Sequence, residues 1–338
     1  MPHTNVTGAM GALGFGIQTA KEAVATVFQY MRAQEVALAP NNIARQEEPT
    51  VGGNLFPGTV YKAGVVPAGG ITFQALSEAW GILLYGLAGA KTVAGEAVPY
   101  THTFKPAAAH DSIPWLTVKR NLGDGSCEQF LDCRVAGGMI TMAATQPVGV
   151  QMNIVGRVPS VVAAMTPALD DTPLLLTVGG SATVDSGFRL SGDTALYARS
   201  IQFAFGHQVS DDDFIIGSPY LDDVTLLYRT LGVTIRTKLL ASDALYKAVY
   251  YGGGTSWSAV VEASSVVAVA KSAANIPTTQ VPYELSITVS NIEFLAVPIA
   301  IRPGLVALEL SGVLSYSGSG DPYAITLKNE LAAYVDAA

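Results

Sequence analysis

One short unit occurs twice in this chain and constrains the fold more than any other feature. The copies span residues 70–89 and 232–253. Each begins with alternating apolar and polar residues, continues with apolar residues at helical spacing, and ends at glycine. Alternation with a period of two indicates a strand that is buried on one face. The sequence therefore predicts a strand followed by a helix in each half of the chain.

The helix of the first copy is predicted from its spacing and its ends. Ser77 suits the start of this helix and Gly89 suits its end. In the second copy, Ser242 and Gly252 hold the same places. The apolar residues that share one helical face in the first copy are Leu76, Trp80, Leu83, Leu84 and Leu87.

A second pair of similar stretches lies downstream of this unit. Residues 134–142 resemble residues 299–310, and a strand-like run precedes each. The separation is 162 positions between Ile71 and Val233, and 166 between Ile140 and Val306. A nearly constant separation predicts a mainly β protein of two tandem β-sandwich or barrel modules, each with one flanking α-helix. The alternative is coincidence, because a strand followed by a helix is common.

Turn-forming residues divide the chain into three parts. Residues 1–57 have a poor core pattern and predict an N-terminal arm. Residues 58–165 are the expected first module, and residues 166–338 are the expected second module. The boundary lies within residues 159–173, which hold three prolines and an acidic pair and are typical of a linker.

The chain carries few charges for its size. Only 14% of its 338 residues are charged, and the net charge is −8. So little charge favours a protein that covers part of its surface by oligomerising. The acidic balance argues against a nucleic-acid-gripping protein, which requires clustered Lys and Arg. No apolar run suits a membrane span, and the first residues do not predict a signal peptide.

No combination of residues predicts catalysis, so we expect no enzyme, no cofactor and no metal. The four histidines lack zinc spacing, and neither a phosphate-binding P-loop nor a nucleophile elbow occurs. Cys127 and Cys133 share a strand face and are predicted as free thiols rather than a bridge. Acidic residues at positions 211–213 lack the pattern of a calcium loop and predict a solvated turn.

Two classes of function remain open at this point. One is a structural subunit of an assembly, and the other is a β-rich enzyme or binding module. His102 or His207 beside a carboxylate in a buried pocket would support the second class. Low charge, 34 glycines and tandem β modules favour the first, because open strand edges have to be paired and neighbouring copies can pair them.

The order of several stretches resembles the tail tube proteins of long-tailed bacteriophages. The similar stretches are residues 13–28, 70–89, 100–105 and 115–118, the last followed by a Gly-Asp-Gly turn. The resemblance implies a self-assembling subunit of stacked rings around a channel for DNA ejection. It also implies contacts with other tail proteins, DNA passage without specific binding, no membrane, and a place in the virion after synthesis in the host cytoplasm. A capsid or decoration protein is the structural alternative.

The doubled chain departs from the usual pattern of the family, whose rings commonly hold six copies. Three chains would supply six modules, which predicts a trimeric ring with pseudo-sixfold symmetry. We expect residues 1–57 to contact the next ring, and acidic residues to outnumber basic ones on the channel wall. The residues expected to take part in assembly are Phe15, Phe28, Tyr30, Asp211, Asp212 and Asp213.

Overall fold

Strands dominate the fold, which confirms the predicted mainly β class. The computed structural model describes residues 11–48, 53, 56–76, 78–109, 112–122, 126–163, 165, 167, 175–178, 187–190, 194–195, 198–210, 212–238, 263–296, 299–300, 307–316 and 318–334. Its one helix in these ranges is α1 (Gly81–Ala88). The strands are β1 (Ala12–Ile17), β2 (Gln29–Met31), β3 (Glu35–Val36), β4 (Ala39–Gln46), β5 (Val60–Gln74), β6 (Gly89–Ala94), β7 (Tyr100–Pro106), β8 (Leu116–Asn121), β9 (Cys127–Ala143), β10 (Gly149–Val155), β11 (Val158–Val162), β12 (Gly187–Leu190), β13 (Thr194–Ala195), β14 (Ala198–Val209), β15 (Leu226–Lys238), β16 (Ala263–Asn275), β17 (Pro282–Ala296), β18 (Ile299–Ala300), β19 (Ala307–Leu314) and β20 (Tyr323–Asn329).

The strands are arranged around one continuous antiparallel sheet, the main sheet, which is eight strands wide. β4 and its forerunner β3 pair with β5, and β10 and β9 follow. β14 pairs with the second half of β9, and β15, β19 and β17 complete the order. The buried side chains of these strands form a single core with α1.

The long strands β9 and β17 each connect the main sheet to further strands. The first half of β9 pairs with β8 and β11, β8 pairs with β1, and β1 pairs with β2. β17 pairs with β16 and, along its first half, with β20, which pairs with β7; β7 pairs with β6. β12 pairs with β13 and β16, and β18 with β19. The fold therefore closes a second layer over the core.

Two groups of four strands in the main sheet have the same order. The first is β4, β5, β10, β9, and the second is β14, β15, β19, β17. In each group the last strand has one hairpin partner before it in the chain, β8 or β16. This order is the one expected of two related modules, while the boundaries between the modules remain a prediction.

The helix α1 is buried on all sides rather than on one face. It begins at Gly81, and Trp80 Nε1–H donates a hydrogen bond to the Leu76 carbonyl oxygen at 2.8 Å. Gly89 ends it with a φ of +89°, as its glycine predicted. The expected amphipathic helix is corrected to a shorter, fully apolar one, because β9 and the C-terminal segment cover it. Ser77 and the second expected helix lie outside the described residues.

Residues 12–46, expected to belong to an arm, form four strands. The side chains of Leu13, Phe15 and Ile17 are buried in the core. A Cβ at Gly14 would lie 2.8 Å from the Tyr30 ring, because this ring packs directly against the glycine backbone. Leu13, Phe15 and Ile17 do alternate, but the residues between them are glycines, which are depleted in strands and typical of loops. The expected role of residues 1–57 between rings stays a prediction.

The end of the described chain packs against the helix of the first half. The Tyr334 hydroxyl donates to the Glu78 carbonyl oxygen and accepts from Asn329 Nδ2, both at 2.8 Å. Lys91 Nζ donates to the Tyr334 carbonyl oxygen at 2.7 Å. A Cβ at Gly81 would lie 2.0 Å from the Tyr334 ring, so the ring fills the space that a side chain would need. The C-terminal segment thus fastens the two halves together.

His102 lies beside this contact and makes stability depend on pH. Its Nε2 is 2.7 Å from the Leu331 carbonyl oxygen, and its ring packs edge-to-face on Tyr334. Burial lowers the pKa of His102 below 6.5. The unfolded chain therefore binds a proton that the folded protein resists, and the free energy of unfolding should fall as the pH drops below 6.5.

Urea denaturation between pH 8 and pH 5 measures this dependence. His102→Gln keeps hydrogen-bonding groups at the position but cannot titrate, so its free energy of unfolding should fall less over the acidic part of the range. Equal slopes for the two proteins would contradict the assignment.

The two cysteines are free, as predicted, and the structure shows that both are buried. Burial raises the pKa of the Cys133 thiol, so this group stays protonated at neutral pH. A Cβ at Gly156 would lie 2.7 Å from Cys133 Sγ, so the thiol is enclosed by backbone. Cysteine contributes here to packing along β9.

Candidate assembly surfaces

The side of the main sheet that faces away from the core, the polar face, is almost free of charge. Its strands align their outward residues in rows. One row contains Gln74, Gly149, Thr141, Gln202, Thr234 and Ser311. The next contains Thr72, Gln151, Met139, Ala204, Gly232 and Val313.

Charged groups on the polar face lie toward its margins. Glu35 and Glu293 stand at the two ends of the second row. Arg236 and Glu309 pair on neighbouring strands, with Nε and Oε2 2.9 Å apart. Neither row contains a basic residue that could bind phosphate through counterion release. The centre of this face therefore presents uncharged side chains, including several with hydroxyl or amide groups.

The pairing of β9 with β14, the seam, joins the two groups of four strands inside the chain. It runs in register from Ala143 opposite Ser200 to Gly137 opposite Gly206. Gly137 has a φ of +140°, and a Cβ there would lie 2.6 Å from the Phe205 carbonyl oxygen. Glycine is therefore required where the two backbones approach each other.

One edge of the main sheet is formed by β3 and β4, the first edge. The Ala37 N–H donates inward to the Gly70 carbonyl oxygen at 2.8 Å. Along an antiparallel strand the backbone groups alternate in direction, so the N–H groups of Val36 and Leu38 point outward. Among the strands described, none pairs with this outer side. The Arg120 guanidinium donates to the Leu38 carbonyl oxygen and covers one outward acceptor.

The opposite edge is the end of β17, the second edge. Within the described ranges, β16 pairs with β17 no further than Glu293, whereas β19 continues to Ala296. β17 holds the same place in the second group as β9 holds in the first. Its backbone beyond Glu293 therefore corresponds to the half of β9 that pairs with β14. Among the described strands, the main sheet thus ends in two backbone edges, one at each side.

The register of the repeat relates the first edge to β14. Ile71 pairs with Val36 as Val233 pairs with Phe203, so Val36 corresponds to Phe203. The same offset makes Ala39 correspond to Gly206, the last residue of the seam. Pro40 follows, and proline has no N–H to offer a further strand. The part of the first edge that can pair with a further strand therefore ends at the position that corresponds to the end of the seam.

The aromatic residues expected in assembly lie in two environments. Phe15 is fully buried, so its side chain belongs to the core of the chain itself. Phe28 and Tyr30 are half-buried with ring centres 6.4 Å apart, and Lys119 Nζ lies 4.0 Å from the centre of the Phe28 ring. The structure thus brings Phe28 and Tyr30 together beside β1. A role in assembly remains a prediction for all three aromatic residues.

The acidic residues expected in assembly lie in the loop between β14 and β15. Asp212 and Asp213 are exposed, and Asp211 lies outside the described residues. The Asp212 carboxylate accepts from Ser210 Oγ at 2.9 Å. The loop folds back on β5, where the Val65 N–H donates to the Pro219 carbonyl oxygen at 2.8 Å. Asp212 and Asp213 are therefore open to solvent, and the part of all three aspartates in assembly stays a prediction.

The histidines considered for catalysis both contact backbone carbonyl groups. His102 contacts Leu331, and His207 Nδ1 lies 2.9 Å from the Val135 carbonyl oxygen. Across the described ranges, no three His, Cys, Asp or Glu side chains are grouped to hold a metal ion. Nor does any helix in those ranges have the length and apolar character to cross a membrane.

A comparison with protein families identifies the chain. A family model for the phage tail tube protein matches residues 8–313. The chain belongs to the phage tail tube protein family. The match begins before β1 and ends within β19, so the tail tube assignment includes both groups of four strands. A comparison with curated proteins finds no match.

Membership of the tail tube family establishes the role at a coarse level. Tail tube proteins are structural proteins of the virion tail rather than an enzyme family. The chain accordingly has a structural role in the phage tail, where it assembles with itself and with other tail proteins. Among the described residues, the two backbone edges, which the sequence analysis did not locate, offer unpaired strand groups of the kind that assembly can use.

Proposed function

We propose that this tail tube protein forms rings by joining the first edge of one copy to the second edge of the next. The seam supports this proposal, because β14 already pairs with β9 inside the chain in the position that a neighbouring copy would take at the first edge. Three copies would supply six groups of four strands and close a ring with pseudo-sixfold symmetry. Stacked rings would then enclose a channel for DNA ejection.

The register of the seam predicts which residues meet between copies. In the seam, Gly138 pairs with Phe205. Leu38 corresponds to Phe205, and the pairing of β10 and β19 makes Phe294 correspond to Gly138. Phe294 of one copy should therefore stand opposite Leu38 of the next. Arg120 would have to release the Leu38 carbonyl oxygen as the new strand arrives.

Electron microscopy of the purified, concentrated protein tests the ring. Hollow tubes whose rings show three chains are the expected result. Rings of six chains would contradict the three-copy arrangement, and closed shells would favour a capsid or decoration protein. Dispersed monomers under every salt and protein concentration would contradict unaided self-assembly.

We place the polar face on the channel wall, where it would allow DNA to pass without retaining it. The face has neutral rows with Glu35 and Glu293 at their ends, in keeping with the expected acidic excess. Gln202→Lys would add a cation to the first of these rows and should give the tubes salt-dependent affinity for duplex DNA.

A retention assay with short duplex DNA at 50 mM and 200 mM salt measures this affinity. Val161→Lys is the matched control, because Val161 is 82% exposed on β11, outside the main sheet. Equal retention by the two variants would place the polar face elsewhere than on the channel wall.

The far end of the β4–β5 hairpin is our proposed contact with the next ring. β10 pairs with β5 only from Ala68 onward, so the hairpin extends beyond its neighbours in the main sheet. Its exposed apolar side chains include Phe56, Val60 and Tyr61. Removing the whole of residues 1–57 would also remove β1 from the core, so a local change is the sharper test.

Val60→Ser with Tyr61→Ser should leave rings intact and prevent or shorten their stacks. The two changes remove apolar area that these side chains would offer to another ring. Both side chains are exposed in the single chain, so the fold of that chain should be unaffected. Sedimentation and electron microscopy report the stack length. Val161→Ser serves as the control, and a double variant with tubes of ordinary length would rule out this contact.

A further inference from the structure

A cavity of about 200 Å³ opens at one end of the core, between the main sheet and the strands that cover it. Its walls are mostly apolar, and its polar members include Arg229 and Tyr323. Phe205, Leu231 and Leu314 are among its apolar lining residues. This cavity lies apart from the two edges and from the polar face.

The guanidinium of Arg229 is only partly satisfied in this cavity. Its Nη1 donates to the Ala107 carbonyl oxygen at 3.2 Å. Its Nε and Nη2 atoms are buried and have no hydrogen-bond partner in the chain as described. A buried donor without a partner costs free energy, and a charged donor costs more than a neutral one. Among the described residues, none supplies an acceptor to these two nitrogen atoms.

Tyr323 presents a second unused donor to the same cavity. The residue is 4% exposed, and its hydroxyl is buried without a partner among the described residues. Its ring is fixed edge-to-face on Phe205, with ring centres 5.3 Å apart. Burial lowers the pKa of Arg229 and raises the pKa of Tyr323 to about 12, so both groups are held away from water.

We propose that this cavity is a carboxylate-binding site. The Nε and Nη2 edge of a guanidinium offers two parallel N–H donors, which match the two oxygens of one carboxylate. The Tyr323 hydroxyl supplies a further donor, and the apolar walls accept a short hydrocarbon stem. A small, largely apolar cavity suits this group better than a hydrated phosphodiester. The carboxylate would also supply the negative charge that the buried guanidinium lacks.

The carboxylate has two possible sources with the same chemistry. One is an acidic side chain of a neighbouring copy, since the chain is acidic with 27 Asp and Glu. The other is a small free organic acid. The inference does not depend on the ring arrangement proposed above, because the cavity is complete within one chain.

Binding of propionate to the unassembled protein tests the site. At matched ionic strength, propionate should raise the thermal unfolding midpoint of the wild-type protein relative to chloride, and phosphate should raise it less. Arg229→Met should fold, because methionine fills volume without a buried charge. Its affinity for propionate should be lower than that of the wild type by at least about tenfold. Arg229→Lys keeps the charge but loses the paired donors, so its affinity should also drop.

Tyr323→Phe keeps the ring and removes only the third donor, so its affinity should fall between those of wild type and Arg229→Met. No propionate-dependent shift in wild type, or an equal shift in Arg229→Met, would overturn the proposal. Radiolabelled propionate then separates the sources. Binding by single chains that is lost in assembled tubes indicates a neighbour's carboxylate, and binding by both indicates a free acid.

Discussion

A proline at position 36 is expected to leave the chain folded and to stop ring formation. The N–H of Val36 points out of the first edge, whereas the neighbouring Ala37 N–H makes the inward bond to Gly70. Proline removes the outward donor and places its ring where a new strand would approach, and Glu35 before it is already extended. Each junction should lose about 1–3 kcal/mol, because the opposing carbonyl oxygen is left without a donor, so the concentration needed for assembly should rise at least about tenfold.

Val36→Ala is the matched control for this variant. It loses a comparable part of the side chain but keeps the outward N–H, so it should still assemble. Circular dichroism reports whether each variant is folded, and sedimentation across a concentration series reports assembly. Rings of Val36→Pro at wild-type concentrations would exclude the first edge as the junction.

Tyr334→Ala is expected to cause a large loss of stability. Removing a fully buried aromatic side chain costs about 3–5 kcal/mol through lost burial and the cavity left behind. The change also leaves the Glu78 carbonyl oxygen and Asn329 Nδ2 without the tyrosine hydroxyl. The helix α1 would lose its cover at Gly81, where the ring now packs.

Tyr334→Phe separates the ring from its hydroxyl. It keeps the packing and removes only the two hydrogen bonds, so its loss should be about 1–3 kcal/mol. Urea denaturation at pH 7.5 or above, where His102 is neutral in both states, measures both variants. Equal losses for the two would show that the ring contributes nothing to fastening the C-terminal segment.

Sequence periodicity predicted strands well where side chains alternate in size. Ile201, Phe203 and Phe205 on β14 point to the core, as the alternation indicated. Leu13, Phe15 and Ile17 on β1 alternate in the same way, but Gly14 and Gly16 between them are typical of a loop and argued against a strand. The side chains of β2 and of the segment before it occupy the space beside these glycines, a contact that appears only in the folded chain.

The assembly surfaces were less predictable for a related physical reason. An open edge consists of backbone N–H and C=O groups, which every residue type except proline presents alike. Pro40 was the one local signal at the first edge, and it became meaningful only beside the register of the seam. Arg229 was equally inconspicuous, because the missing acceptor for its guanidinium is visible only once Ala107 and Tyr323 are in place.

The seam changes the kinetics of closing a ring of three chains. Half of the strand junctions in such a ring form within a chain, at the high effective concentration of a tethered pair. In the proposed ring three junctions would form between chains, through two encounters and one closing step, so the rate of nucleation would depend on a lower power of subunit concentration than for six separate modules. In the proposed ring, the covalent link would also fix a one-to-one stoichiometry, so the two groups of four strands would alternate without any need for sorting.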